Sequence, residues 1–172
     1  MTVERIVPPL VAQEREMLEA WLDFQRDTLA LKCDGLTGDQ LRERAVPPSS
    51  LSLLGLVRHM ADVERVWFRH RIAGEDIQAI YWSDASPDGD FDGLDPAGAE
   101  ADFATYAAEV EAARAVLAAR DYDDTFELRR SDGNGVVAVD IRALVLHMIE
   151  EYARHNGHAD LLREAIDGTT GE

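Results

Sequence analysis

The sequence predicts an all-α fold: a four-helix bundle with crossover connections and a small hairpin or irregular insert before the last helix. Two observations lead there. Apolar residues recur every three or four positions in four long segments, and some of the stretches joining them are too long for simple up-and-down turns. A third observation is negative: no internal repeat or low-complexity tract interrupts the chain, so residues 1–172 read as one domain.

The first long helix is expected over residues 9–32, where Leu10, Met17, Leu18, Trp21, Phe24, Thr28 and Leu31 keep helical spacing. A single turn should follow Thr37, which with Gln40 three positions later matches a capping box, before "VPPSS" stops it. The second helix is expected over roughly 50–72, with Leu53, Leu56, Met60, Val63, Trp67 and Phe68 as its stripe. Residues 73–95 are rich in Gly, Asp, Ser and Pro, yet they hold Ile80, Tyr81, Trp82 and Phe91. They read as an ordered loop that packs back on the body. The third helix should run from about Pro96 to Arg120, with Phe103, Tyr106, Val110, Ala113 and Leu117 on one side. In "TFELRRSDGNGVVAV", alternating residues flank a Gly/Asn/Asp cluster, the pattern of a short hairpin or irregular crossover. Asp140 is a good N-cap for the fourth helix, which should end near Ile166 before Gly168.

Composition narrows the function. The formal charge of −17 repels phosphate backbones and anionic headgroups, which disfavours nucleic acid and membrane surfaces as partners. No apolar run approaches the roughly 18 residues of a membrane span, and no secretory signal opens the chain. The single Cys33 can form no internal disulfide, so a cytoplasmic location is expected. Cys33 also sits at a helix end far in sequence from the histidines, and a lone cysteine beside Leu31 reads as a packed residue, not a nucleophile.

The stretch "HMIEEYARHNGHADLLRE" holds three of the five histidines among glutamates. On the fourth helix, Ile141, Leu144, Met148, Tyr152, Ala159, Leu162 and Ile166 make the apolar stripe, and His155 falls in step with it. At about 100° per residue, Glu151, His155 and His158 share an arc of roughly 60°, which His147 widens only to about 80°. A Glu and a His four apart present two ligand atoms on adjacent turns, and His59, between Leu56 and Val63, points into the same interior. His70 lies about 16 Å further along its helix and reads as a surface residue. Spacing alone leaves two readings open: hydrogen-bonded core histidines with a local ion pair of Glu151 to Arg154 or His155, or a metal site of His59, Glu151 and His155.

The strings "LSLLGLVRHMADVERVWF" and "LVLHMIEEYARHNGHADLLREAIDG" resemble the DinB/YfiT-like metalloenzyme superfamily, and within it the actinobacterial mini-circle branch. The resemblance covers essentially the whole chain. It implies a four-helix bundle of DinB/YfiT-like type and a divalent metal, most commonly zinc or nickel, held by one histidine of the second helix and a pair four apart on the last. In many members that pair is His-x-x-x-His; in the mycothiol-dependent maleylpyruvate isomerases it is Glu-x-x-x-His, and Glu151 and His155 match the latter, as His59 matches the second-helix ligand. His158 is then an orienting neighbour, a proton shuttle or an alternative ligand, the first being favoured. Asp62, Glu64 and Asp160 are either orienting partners of ligand imidazoles or structural ion pairs. Arg58, Arg154 and Arg163 either meet an anionic substrate group or balance surface charge.

Characterised relatives are thiol-dependent transferases and isomerases, and sixteen arginines against the single Lys32 fit a host that makes mycothiol. The leading expectation is a metal-dependent thiol S-transferase with mycothiol as cosubstrate, the thiol being activated as a metal-bound thiolate against a small electrophile. Two alternatives stand beside it: a non-catalytic metal-binding stress or interaction protein, and a metallohydrolase using metal-bound hydroxide. Assembly as a homodimer through helical faces is left open.

Overall fold

A computed structural model describes residues 5–129, 133 and 135–171. In chain order, α1 spans Glu14–Cys33, α2 is the turn Gly38–Leu41, and α3 spans Leu53–Glu64 and continues as a π-helix over Arg65–Ile72. A 3₁₀ turn at Pro96–Gly98 leads into α4, Ala99–Ala118. Strands β1 (Thr125–Arg129) and β2 (Val136–Asp140) pair antiparallel, Thr125 opposite Asp140 and Arg129 opposite Val136, and α5 follows directly over Ile141–Asp167. Part of the Gly/Asn/Asp turn between the strands, residues 130–132 and 134, lies outside the described residues. Among the described residues no helix is long and apolar enough to cross a membrane.

Local chemistry sets the ends. Thr37 and Gln40 form the reciprocal capping box. The Ser52 hydroxyl accepts from the Gly55 N–H at 3.2 Å, and the Asp140 carboxylate accepts from the Ala143 N–H at 2.6 Å. Gly168 closes α5 in the left-handed region at φ 77°, where a Cβ is disfavoured.

α1 packs along α5 and α3 along α4, while α3 also meets α1 and α5. The core is built from Leu22 and Leu29, then Leu53, Leu54, Leu56, Val57 and Met60, then Tyr106 and Ala113, and finally Leu144, Met148 and Tyr152.

On α1 the structure departs from the sequence expectation. The helix begins at Glu14, with Glu14 and Glu16 at its positive end, and Leu10 and Val11 lie before it, 87% and 93% exposed. Its buried residues are Leu22, Arg26, Thr28, Leu29, Lys32 and Cys33, so Thr28 lies inside as expected while Trp21 turns outward. Arg26 interrupts the apolar pattern because it is buried in a forked ion pair with Glu64 of α3, Nε–Oε1 and Nη2–Oε2 both 2.8 Å. The Tyr152 hydroxyl also donates to Glu64, at 2.8 Å, and meets the Tyr106 hydroxyl at 3.0 Å. All four groups of this network lie in the core, where each satisfies the others.

Candidate metal centre

His59 comes from the middle of α3, and Glu151 and His155 come from adjacent turns of α5. The His59 Nε2 lies 3.7 Å from Glu151 Oε1, and the His155 Nε2 lies 3.5 Å from the same oxygen. One ligand atom from each of the three falls within 4.8 Å of the others. Ligand bonds of 2.0–2.2 Å in tetrahedral geometry separate donor atoms by about 3.3–3.6 Å, so the carboxylate is spaced from both imidazoles much as a shared ion requires. The side chains remain 25%, 23% and 12% exposed, which leaves a path for a further ligand.

The other nitrogen of His59 is also engaged. Its Nδ1 lies 2.8 Å from Oδ2 of Asp90, a carboxylate only 4% exposed. An ionised carboxylate accepts, so Nδ1 carries the proton and the Nε2 lone pair faces Glu151 and His155, the tautomer a metal needs. Phe91 stacks on the same imidazole with centroids 5.6 Å apart. Gly55 makes that approach possible, since a Cβ there would stand 2.5 Å from the Phe91 ring. Asp62 anchors the start of this loop by accepting from the N–H groups of Ile80, Tyr81 and Trp82 at 2.6, 2.9 and 3.3 Å. The expected packing of the loop on the body is therefore present, and it delivers a partner to the site. The donor set, the spacing of Glu151 from both imidazoles and the protonated Nδ1 of His59 fit a divalent cation.

Comparison with known proteins gives the family. A sequence model of the family described as mycothiol-S-transferase matches residues 17–168, a span that contains all of α3, α5 and the loop bearing Asp90. The chain belongs to the mycothiol-S-transferase family. The DinB/YfiT-like resemblance carried by the α3 and α5 strings stands with it. No curated protein matches the sequence. Among solved structures, the chain is similar to one titled as a conserved protein of a locus from Enterococcus faecalis, at 14% identity and a TM-score of 0.62, covering 92% of this chain and 100% of that one. At that identity the likeness is one of fold.

In this mycothiol-S-transferase family member the remaining sequence candidates separate clearly. His155 is held down to about 4, first by burial and then by the imidazole of His59, against the upward pull of Glu151. It is neutral at pH 7, the form that ligates. His158 sits one turn on, its Nδ1 3.4 Å from the Nδ1 of His155. His147 leaves the cluster and packs on Trp67, centroids 4.7 Å apart. His70 is exposed, as expected.

Glu64 and Asp160 are the structural ion pairs expected as one of their two options, Glu64 with Arg26 and Asp160 with Lys32 at 2.7 Å, whereas Asp62 is neither of the two, since it holds the loop through backbone N–H groups. Arg58 donates to the Gly89 carbonyl at 2.8 Å and lies over Tyr81, and Arg163 binds the carbonyls of Lys32 and Asp34. Arg154 is exposed. Burial pushes the Cys33 thiol up to about 12, as befits a packed residue. Asp90 was not singled out by sequence reasoning. "DASPDGDFDGLD" offers Asp84, Asp88, Asp90, Asp92 and Asp95 with no periodicity to rank them, so its only signal was the aromatic Phe91 beside it. A cavity of about 690 Å³ lies between α1 and α5, lined by Trp21, Phe24, Lys32 and Asn156, and the three clustered residues do not line it.

Proposed function

We propose that this protein is a metal-dependent thiol S-transferase that uses mycothiol, built on a four-helix bundle of DinB/YfiT-like type with crossover connections. The observation that carries the reading is the convergence of His59, Glu151 and His155 within 4.8 Å in a chain of the mycothiol-S-transferase family. Two neutral imidazoles and a carboxylate would hold a divalent ion, zinc or nickel, and leave positions open to a further ligand. Bound there, the ion would supply the positive charge that keeps a thiol ionised near neutral pH.

The chain's own residues do the rest. Asp90 keeps the proton of His59 on Nδ1, and with an ion held at Nε2 of His155 its Nδ1–H would point to His158, whose Nδ1 lies 3.4 Å away. Glu151 sits between His59 and His155 and offsets part of the added charge. Partial exposure of these side chains admits two small molecules, the thiol and an electrophile. The sulfur forms a bond to the electrophilic carbon, and the leaving group departs with the electron pair of its own bond. The thiol proton passes to solvent.

The test starts from protein purified without an affinity tag. Metal analysis should find close to one divalent ion per chain, and the loaded protein should consume mycothiol in the presence of monochlorobimane. Glu151→Ala and His155→Ala should each abolish this while leaving the helical circular dichroism unchanged. Activity surviving in both variants, or turnover with no thiol requirement, would overturn the proposal.

A further inference from the structure

α3, with its π-helical continuation, runs against α5 with two levels of ring contact. At one level His59 faces His155, centroids 4.8 Å apart, and at the other Trp67 faces His147, centroids 4.7 Å apart. The levels are eight residues apart on both elements, 59 to 67 and 155 to 147, so about 12 Å separates them along α5, with Glu151 midway. Trp67 carries the Arg71 guanidinium on its ring, 3.9 Å from the centroid, and meets Phe126 of β1 edge-on at 6.5 Å. Trp67, Arg71 and His147 are all half-buried.

Arg71 stands apart from its neighbours in this acidic chain. Arg65 and Arg69 are both tied to Glu109, and Arg69 also to Glu75. Among the described residues no carboxylate or carbonyl is paired with Arg71, and burial lowers its guanidinium from the ordinary arginine value. Packing explains the stack on Trp67. It does not explain a half-buried cation left without the acidic partner that the adjacent arginines have. Such a guanidinium keeps its hydrogen-bonding fork available, and that fork matches a carboxylate or phosphate.

We propose that Arg71, laid over Trp67 beside His147, binds an anionic group of the electrophilic substrate while the reacting carbon lies toward Glu151. The substrate class is therefore a small electrophile bearing a carboxylate or similar anion. Its assignment as the substrate rests on the transferase reading, whereas the anion site itself can be tested without it.

The probes are 2-naphthoate and 2-naphthamide, titrated calorimetrically into metal-free protein at pH 7.5 with no thiol present. Naphthoate should bind about tenfold or more tightly than the amide, and that preference should shrink with added salt and vanish in Arg71→Gln. Arg71→Lys, which keeps the charge and loses the fork, should retain only part of it. Equal affinity for the two probes, or a preference that survives Arg71→Gln, would overturn the proposal. Should Arg71→Gln fail to fold, a preference untouched by both Arg71→Lys and 0.5 M salt (on the order of a 4 Å screening length) would do the same. Because turnover is not read, an inactive enzyme leaves the result standing, and thiol consumption without a carboxylate preference sinks this assignment alone.

Discussion

Replacing Asp90 by Asn should weaken metal binding without unfolding the protein. The substitution keeps the shape of a side chain that is 4% exposed, removes its charge and turns one acceptor oxygen into an NH₂ donor. A hydrogen bond to an ionised carboxylate contributes about 1.5–3 kcal/mol and a neutral one about 0.5–1.5, so the 2.8 Å contact with His59 loses roughly 1–1.5 kcal/mol. That is about tenfold in affinity. An amide can also turn its NH₂ toward Nδ1, which moves the imidazole proton to Nε2 and takes a ligand away, so the loss extends toward the hundredfold end seen for such partners. The assay is competition with a chromophoric chelator for zinc, wild type against variant, with thermal melts of the metal-free proteins as the control on folding. Zinc affinity within twofold of wild type at unchanged melting temperature would show that the Asp90 contact does not prepare His59, and the argument from tautomer would fall.

Other consequences follow from groups away from the ligands. Glu64→Gln leaves the buried Arg26 guanidinium with only the half-exposed Asp23 carboxylate, 2.9 Å from its Nη1, and should cost about 3 kcal/mol, on the order of 10 °C in melting temperature; a loss under about 1 kcal/mol would mean that Asp23 and water together satisfy Arg26. The Cys33 thiol, pushed up to about 12 by burial, should resist Ellman's reagent at pH 8 in the native protein and react at once in denaturant; fast native labelling would contradict its burial. His155, held down to about 4, titrates below the roughly 6.5 of an unfolded histidine, so the unfolded chain takes up that proton first. Stability of the metal-free protein is therefore undiminished by this group above about pH 6.5 and falls as the pH drops toward 4, and urea titrations of His155→Gln should show a flatter profile over that window.

Much of this protein was readable before any coordinates. Helix ends depend on a residue and its third or fourth neighbour, so Thr37, Asp140 and Gly168 announce the turns they make. Glu151 and His155 are bound to one helix face by the 3.6-residue period alone, and the position of His59 between Leu56 and Val63 turned it inward. What lay beyond reach depends on contacts between distant segments. The apolar stripe of α1 was misjudged because Arg26 looks like a surface residue until Glu64, 38 positions later, is placed opposite it. One aspartate among five reaches His59 because Asp62 pins the loop's start and Gly55 lets Phe91 lie flat on α3, and neither condition leaves a periodic mark.

By itself, then, the order of residues determined which elements form and which faces carry the imidazoles and carboxylates, because backbone geometry repeats over a few residues. Only the tertiary structure decided which charged groups pair in the interior and which, like half-buried Arg71, have no acidic partner among the described residues, because burial is set by whatever chain arrives from elsewhere.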